Sequence, residues 1–280
     1  MGKKAVSPDS IIKLSAPETN GYWEIQILYE DEYILALNKP ACLLTSPDRY
    51  DPKRPNLMKL LHAGIEEGKD WAKVRNLTYL MNPHRLDFET TGVILLAKSK
   101  DILTMLTNQF SENKTRKMYL AIAHGAPPKD EFTVEIRIAP NPKKPEIMRV
   151  VRKKGKQTIT HFKVLEKFAG YTLFECHPVT GRTHQIRVHL KYAGCPIVGD
   201  ILYGGLPLYL SQLKPDFKKP KKGVEKPIMD TVALHSKRLE FVHPVTGNPV
   251  CIEAPEPKPF LVALKYLREY ASAAPSVQVT

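Results

Sequence analysis

Three short stretches set chemically able polar side chains inside otherwise apolar, strand-forming sequence. In HRLDFETTGVILLAKS (84–99), Asp87 follows His-Arg-Leu and precedes the turn-forming Glu-Thr-Thr-Gly. A carboxylate there is either a turn or capping residue or an acid held at a cleft edge, just before a strand enters the core. RKMYLAIAHG (116–125) places Tyr119 near the start of a buried strand, where an aromatic ring packs in a core or lies at an interface. In VTGRTHQIRVHL (179–190), a short helix puts His184, Arg187 and Lys191 at i, i+3 and i+7. That is a polar stripe roughly opposite the apolar face, and by itself it reads as a solvated basic surface.

Several other chemistries are poorly supported. His184 and His189 are five residues apart, about 500° around a helix, so they do not share a face for a metal. The four cysteines, Cys42, Cys176, Cys195 and Cys251, form no Cys-x-x-Cys pair and read as reduced thiols. No phosphate-binding glycine loop or Gly-x-Ser-x-Gly elbow is present, so no nucleotide cofactor is expected. Glu89 lies two residues from Asp87, but glycoside hydrolysis needs carboxylates on opposite sides of the scissile bond.

The elements that must position these groups follow from hydrophobic periodicity. Residues 33–38, 93–99 and 118–123 are short apolar runs of strand length, and 132–138 alternates with period 2. Two more strands meet at Ala169-Gly170, and 232–241 is the last strand. Helical spacing occurs over 57–67, 101–113, 183–194 and 259–271. In the second of these, Ile102, Met105, Leu106 and Phe110 share a face. In the third, Thr183 is the expected N-cap and Gly194 the residue after the last turn. Many strands, few helices and no βαβ alternation predict an α+β fold with a mixed, largely antiparallel central sheet flanked by a few helices and loops. One domain is expected over 21–271, with a flexible tail over 1–20 and a frayed end over 272–280.

With 280 residues and 42% hydrophobic content, the chain has ample material for a core. No apolar run reaches the roughly 20 residues of a membrane span. The net charge is +13, and such an excess points to a polyanionic partner. Most of it is concentrated in 143–167 and 214–226. Basic loops are therefore expected at 139–158 and 207–227, with Lys143, Lys144, Arg152, Lys153, Lys154, Lys218 and Lys219 as candidate phosphate contacts.

Taken together, these stretches resemble the RluA-like family of RNA pseudouridine synthases. HRLDFETTG is similar to that family's His-Arg-Leu-Asp-x-x-Thr-Ser-Gly signature, with Thr91 in place of the usual Ser. NKPACLLTSP (38–47), YLAIAHG (119–125), GRTHQIRVHL with GCPIVGDILYG (194–204), and LHSKRLEFVHP (234–244) resemble its other motifs, in order. The likeness covers roughly residues 24–255, and the small N-terminal RNA-binding appendage of many members is not seen.

The resemblance implies an isomerase that breaks the C1′–N1 bond of a uridine, turns the uracil and rejoins it through C5, with no cofactor and no metal. Asp87 would attack C1′ or remove the C2′ proton. Tyr119 would stack on the uracil and help take the C5 proton. Arg187 would keep the Asp87 carboxylate ionised against desolvation, with Arg182 its rival for that salt bridge. Arg85 would prop the space left by the flipped base, and His184 would orient the helix start. The implied substrate is a stem-loop of rRNA or tRNA, met in the cytoplasm by a monomer without membrane contact. A non-catalytic RNA-binding or ribosome-assembly factor on the same fold would keep the basic stretches but lose the trio Asp87, Tyr119 and Arg187, all of which are present.

Overall fold

The structure is a computed structural model that describes residues 10–48, 51–218 and 223–272. In chain order the elements begin with β1 (Ile11–Ala16), β2 (Gly21–Glu30), β3 (Ile34–Lys39), α1 (Leu57–Glu66), α2 (Asp70–Lys73), β4 (Thr91–Ala97) and α3 (Lys100–Ser111). They continue with β5 (Arg116–His124), β6 (Glu131–Pro140), β7 (Met148–Val151), β8 (Lys156–Phe168), β9 (Tyr171–Pro178) and α4 (Gln185–Tyr192). The last are β10 (Leu234–Val242), β11 (Pro249–Glu253) and α5 (Lys258–Tyr270). This is the α+β, mostly antiparallel architecture that the periodicity predicts. The chain divides into two compact units, Met1–Arg116 with Ser236–Pro255, and Lys117–His235 with Glu256–Thr280. The sequence, read as one domain over 21–271, does not reveal this division.

In the first unit β1, β2, β3 and β4 are successive antiparallel neighbours, and β11 pairs with β10. Every residue of β4 is buried. Ile34, Ala36, Val93, Leu95 and Ala97 pack with Ile102 and Leu106 of α3 in one cluster. Each large apolar side chain so buried contributes roughly 1.5–3 kcal/mol. The Asn56 side chain caps α1 by accepting from Lys59 N at 2.9 Å, and Ser99 caps α3 through Ile102 N at 3.3 Å. Met105, read from its spacing as part of the buried face of α3, is instead 47% exposed.

The segment expected to be a loose tail over 1–20 contains β1. Its residues alternate between exposed and buried, with Ile12, Leu14 and Ala16 inward, a period-2 pattern too short to stand out among polar neighbours.

In the second unit the strand order is β5, β9, β8, β6, β7, all antiparallel. Ile186 and Leu190 of α4 and Phe260, Ala263, Leu264 and Leu267 of α5 join Phe162 and Phe174 in its core. The expected basic loop at 139–158 is largely a β-ribbon. β7 pairs with β6 from Pro140↔Met148 to Arg137↔Val151, and a turn with Lys154 at φ 57 leads into β8. The expected insertion at 207–227 is in part a packed segment, because Leu208 and Leu213 are buried in the core. Ser272, at the end expected to fray, bridges to Phe168. No helix among the described residues is long and apolar enough to cross a membrane.

Candidate active site

In the first unit the backbone around Asp87 is fixed from both sides. Thr45, in the loop after β3, grips the preceding residue, Leu86. Its hydroxyl donates to Leu86 O at 2.9 Å and accepts from Leu86 N at 3.1 Å. On the other side, Leu43 N donates to Phe88 O at 3.3 Å. The carbonyl of Asp87 accepts from Thr90 N at 3.2 Å, closing the turn that the Glu-Thr-Thr-Gly sequence predicts. His84 accepts from Leu95 N through Nε2 at 3.0 Å and stacks on Phe110 with ring centroids 4.5 Å apart, tying the segment to β4 and α3. Gly92 ends the motif at φ 108. A Cβ there would stand 2.2 Å from Ser236 O, so only glycine permits this approach. Asp87 itself is half-buried, and Arg85 is exposed.

Lys39 is the residue of this site whose role the motif reading leaves open. Its side chain is fully buried at the end of β3. Nζ donates to the carbonyls of Leu43 at 2.7 Å, Pro40 at 2.8 Å and Phe88 at 3.2 Å. Three acceptors use all three N–H groups, a number that only the protonated ammonium supplies. Burial pushes Lys39 down to about 7, while the negative charges of Asp87 and then Cys42 act in the opposite direction. Lys39 thus joins the 40–43 loop to the residue after Asp87 and sets a positive charge near the carboxylate. Signal for it lay in the Lys-Pro pair, but a lysine closing a strand gives no sequence sign that it turns inward.

In the second unit Tyr119 is half-buried on β5, opposite Cys176 in the register, and packs against the core. Arg187 lies far from the solvated stripe that the spacing predicts. It is 4% exposed and forms a two-pronged ion pair with fully buried Asp200, Nε to Oδ2 and Nη2 to Oδ1, both at 2.7 Å. Its guanidinium also lies 5.0 Å from the centre of the Tyr203 ring. Asp200 was not singled out in the sequence, although it sits within the GDILYG segment.

Three polar residues of α4, Gln185, Arg187 and His189, are buried, whereas Lys191 is exposed. The Gln185 amide donates to Ile159 O and Thr160 Oγ1, both at 3.0 Å, and accepts from Thr180 Oγ1 at 2.7 Å and Arg182 N at 3.1 Å. The N-cap position belongs to His184, at φ 54, rather than to Thr183. His184 Nδ1 is hydrogen-bonded to Tyr203 Oη at 2.8 Å.

Thr158 donates its hydroxyl proton to Ile136 O at 2.6 Å, so at 2.8 Å it accepts from His189 Nε2. The buried Nδ1 then carries no proton and no hydrogen bond, and burial pushes His189 down to about 4. No group of His, Cys, Asp and Glu fit to hold a metal occurs among the described residues.

Arg182 is exposed, as are Lys143, Lys144, Arg152, Lys153, Lys154 and Lys218. Lys219 lies outside the described residues. The base of the basic ribbon is anchored, since Met148 N donates to Tyr203 Oη at 2.9 Å and Ile138, Val188 and Tyr203 form one buried cluster against Ile147 and Met148.

A family model described as RNA pseudouridylate synthase matches residues 33–192. Ribosomal large subunit pseudouridine synthase D of Xylella fastidiosa is 36% identical over 250 residues, covering 88% of this chain and 70% of that protein. The protein of the same name from Xanthomonas campestris is 32% identical over 265 residues, covering 89% and 71%. Among solved structures, human RNA Pseudouridylate Synthase Domain Containing 4 aligns with a TM-score of 0.64 at 26% identity, covering 86% of this chain and 92% of that one. The chain belongs to the RNA pseudouridylate synthase family and is an isomerase that acts on RNA.

Proposed function

We propose that this enzyme converts specific uridines in stem-loops of ribosomal RNA to pseudouridine, with Asp87 as its catalytic carboxylate. What carries this reading is the double fastening of Asp87, by Thr45 at Leu86 and by Lys39 and Leu43 at Phe88. A backbone tied on both flanks holds one carboxylate in a defined place, and such positioning is what enzymes use to lower a barrier. Asp87 either attacks C1′ or takes the C2′ proton, the C1′–N1 bond breaks, and the uracil turns. C5 then bonds to C1′, either displacing the Asp87 carboxylate from C1′ or, in the second route, as C2′ takes its proton back from Asp87; the C5 proton leaves, and N1 regains a proton. The proposed ring beneath the uracil is Tyr119, and Arg187 is the guanidinium of the proposed trio.

A stacked base is out of reach, so the uridine is proposed to flip out at a cost of a few kcal/mol, with Arg85 occupying the vacated space. Ribosomal RNA is favoured over tRNA because the bacterial relatives are named for the large ribosomal subunit. We propose that the enzyme works in the cytoplasm as a monomer, with RNA as its partner.

The test is to map pseudouridine in ribosomal RNA and tRNA from cells with and without the gene, then to restore the missing sites with purified enzyme. Loss of pseudouridine from large-subunit RNA is expected. Loss confined to tRNA would move the substrate, and no loss from either would overturn the reading.

A further inference from the structure

Lys117 stands two residues before Tyr119 on β5, so both side chains leave the strand on the same face, about 7 Å apart. Its Nζ makes a single long hydrogen bond among the described residues, to Val179 O at 3.4 Å. The neighbouring charge is Arg182, and among the described residues no carboxylate pairs with either cation. Burial and then the Arg182 charge push Lys117 down to about 8. Two neighbouring cations without an acid leave an electrostatic deficit that an incoming anion relieves.

The loop that carries Arg182 is held in place. Gln185 Oε1 accepts from both Arg182 N and Thr180 Oγ1. Between them, Gly181 leaves the approach open. A Cβ added there would find one heavy atom within 4 Å, Lys117 Nζ at 3.8 Å.

We propose that Lys117 and Arg182 together bind one phosphodiester of the RNA backbone, next to the uridine that Tyr119 receives. The placement next to the uridine rests on the stacking role given to Tyr119 above; the phosphate site itself stands on the paired cations and the open glycine. A phosphate suits the pair because it accepts from an ammonium and a guanidinium at once. It also fixes register without reading sequence.

The experiment measures binding of a fluorescein-labelled, uridine-containing RNA stem-loop across a salt series. The proteins are wild type, Lys117→Gln, Arg182→Gln, the double variant, Lys117→Arg and Gly181→Ala. Because both cations serve one phosphate, the double variant should lower the slope of log affinity against log salt by about 0.7–0.9 in total, not twice that. Lys117→Arg should keep the wild-type slope. Gly181→Ala adds only a methyl at ordinary contact distance and should weaken binding several-fold with its melting temperature unchanged.

A double variant that is folded and keeps the wild-type slope overturns the proposal. Should that variant not fold, undiminished binding by Gly181→Ala overturns it instead. Pseudouridine formation by the wild type is measured in parallel by release of tritium from C5-labelled uridine in ribosomal RNA. A flattened slope with no tritium release leaves the phosphate site standing and removes the function proposed for Tyr119. Tritium release with an unchanged slope does the reverse.

Discussion

Asp87 is a half-buried carboxylate whose backbone is pinned at the flanking residues Leu86 and Phe88. Asp87→Asn keeps the shape and removes the charge. Thr45 and Lys39 hold the backbone on either side of Asp87, so the loop should survive the change. Turnover should fall by roughly 10²–10⁴ or more, the scale of losing an acid–base group, read as tritium released from C5-labelled uridine. RNA affinity should stay within a few-fold of wild type, because phosphate contacts dominate it. Retained turnover in Asp87→Asn would remove this carboxylate from the mechanism.

At the scale of the element, α4 is unusual in burying polar side chains at alternate positions. Gln185, Arg187 and His189 are each 4% exposed or less. Removing one partner of a buried ion pair costs about 3–5 kcal/mol. Asp200→Ala should therefore lower the unfolding free energy by an amount of that order, read as a lower denaturant midpoint, and activity should fall with it, since the Arg187 guanidinium loses two charge-assisted bonds. An unchanged midpoint would show that the pair contributes little net stability.

His189 gives α4 a pH dependence. The unfolded side chain takes a proton near 6.5, whereas the folded one holds out to about 4. Between those values the unfolded state binds more protons, so stability falls as the pH drops, by about 1.4 kcal/mol per unit. Above pH 6.5 this contribution is fully present. Urea unfolding at pH 7, 6 and 5 should show the loss in wild type and a flatter acid limb in His189→Gln. Parallel curves for the two would reject His189 as the cause.

For the molecule as a whole, the excess positive charge is displayed rather than distributed. Lys143, Lys144, Arg152, Lys153 and Lys154 are all exposed around a ribbon whose base packs on Tyr203 and Val188. An anchored base gives these charges a more constant position than a free loop would. Changing all five to Gln should flatten the salt dependence of RNA binding by about 0.7–0.9 for each phosphate that the variant no longer neutralises. Turnover at saturating RNA should change little, because none of the five is proposed to touch the uracil. An unchanged slope would reduce the ribbon to a solvated surface.

The amino-acid sequence alone determined the features that depend on near neighbours. Period 2 over 132–138 gave β6, helical spacing over 57–67 and 101–113 gave α1 and α3, and the turn after Asp87 followed from Glu-Thr-Thr-Gly. The ordered motifs gave the family. Periodicity reports which residues share a face, however, not what covers that face. The stripe of His184, Arg187 and Lys191 therefore read as solvent-facing, until Asp200, thirteen residues further on, was brought over Arg187. The same limit hid the inward turn of Lys39, whose three acceptors include Phe88, 49 residues away. Tertiary structure decided these points because a buried charge is tolerable only where distant segments supply its partners, and spacing along the chain does not record which distant segments meet.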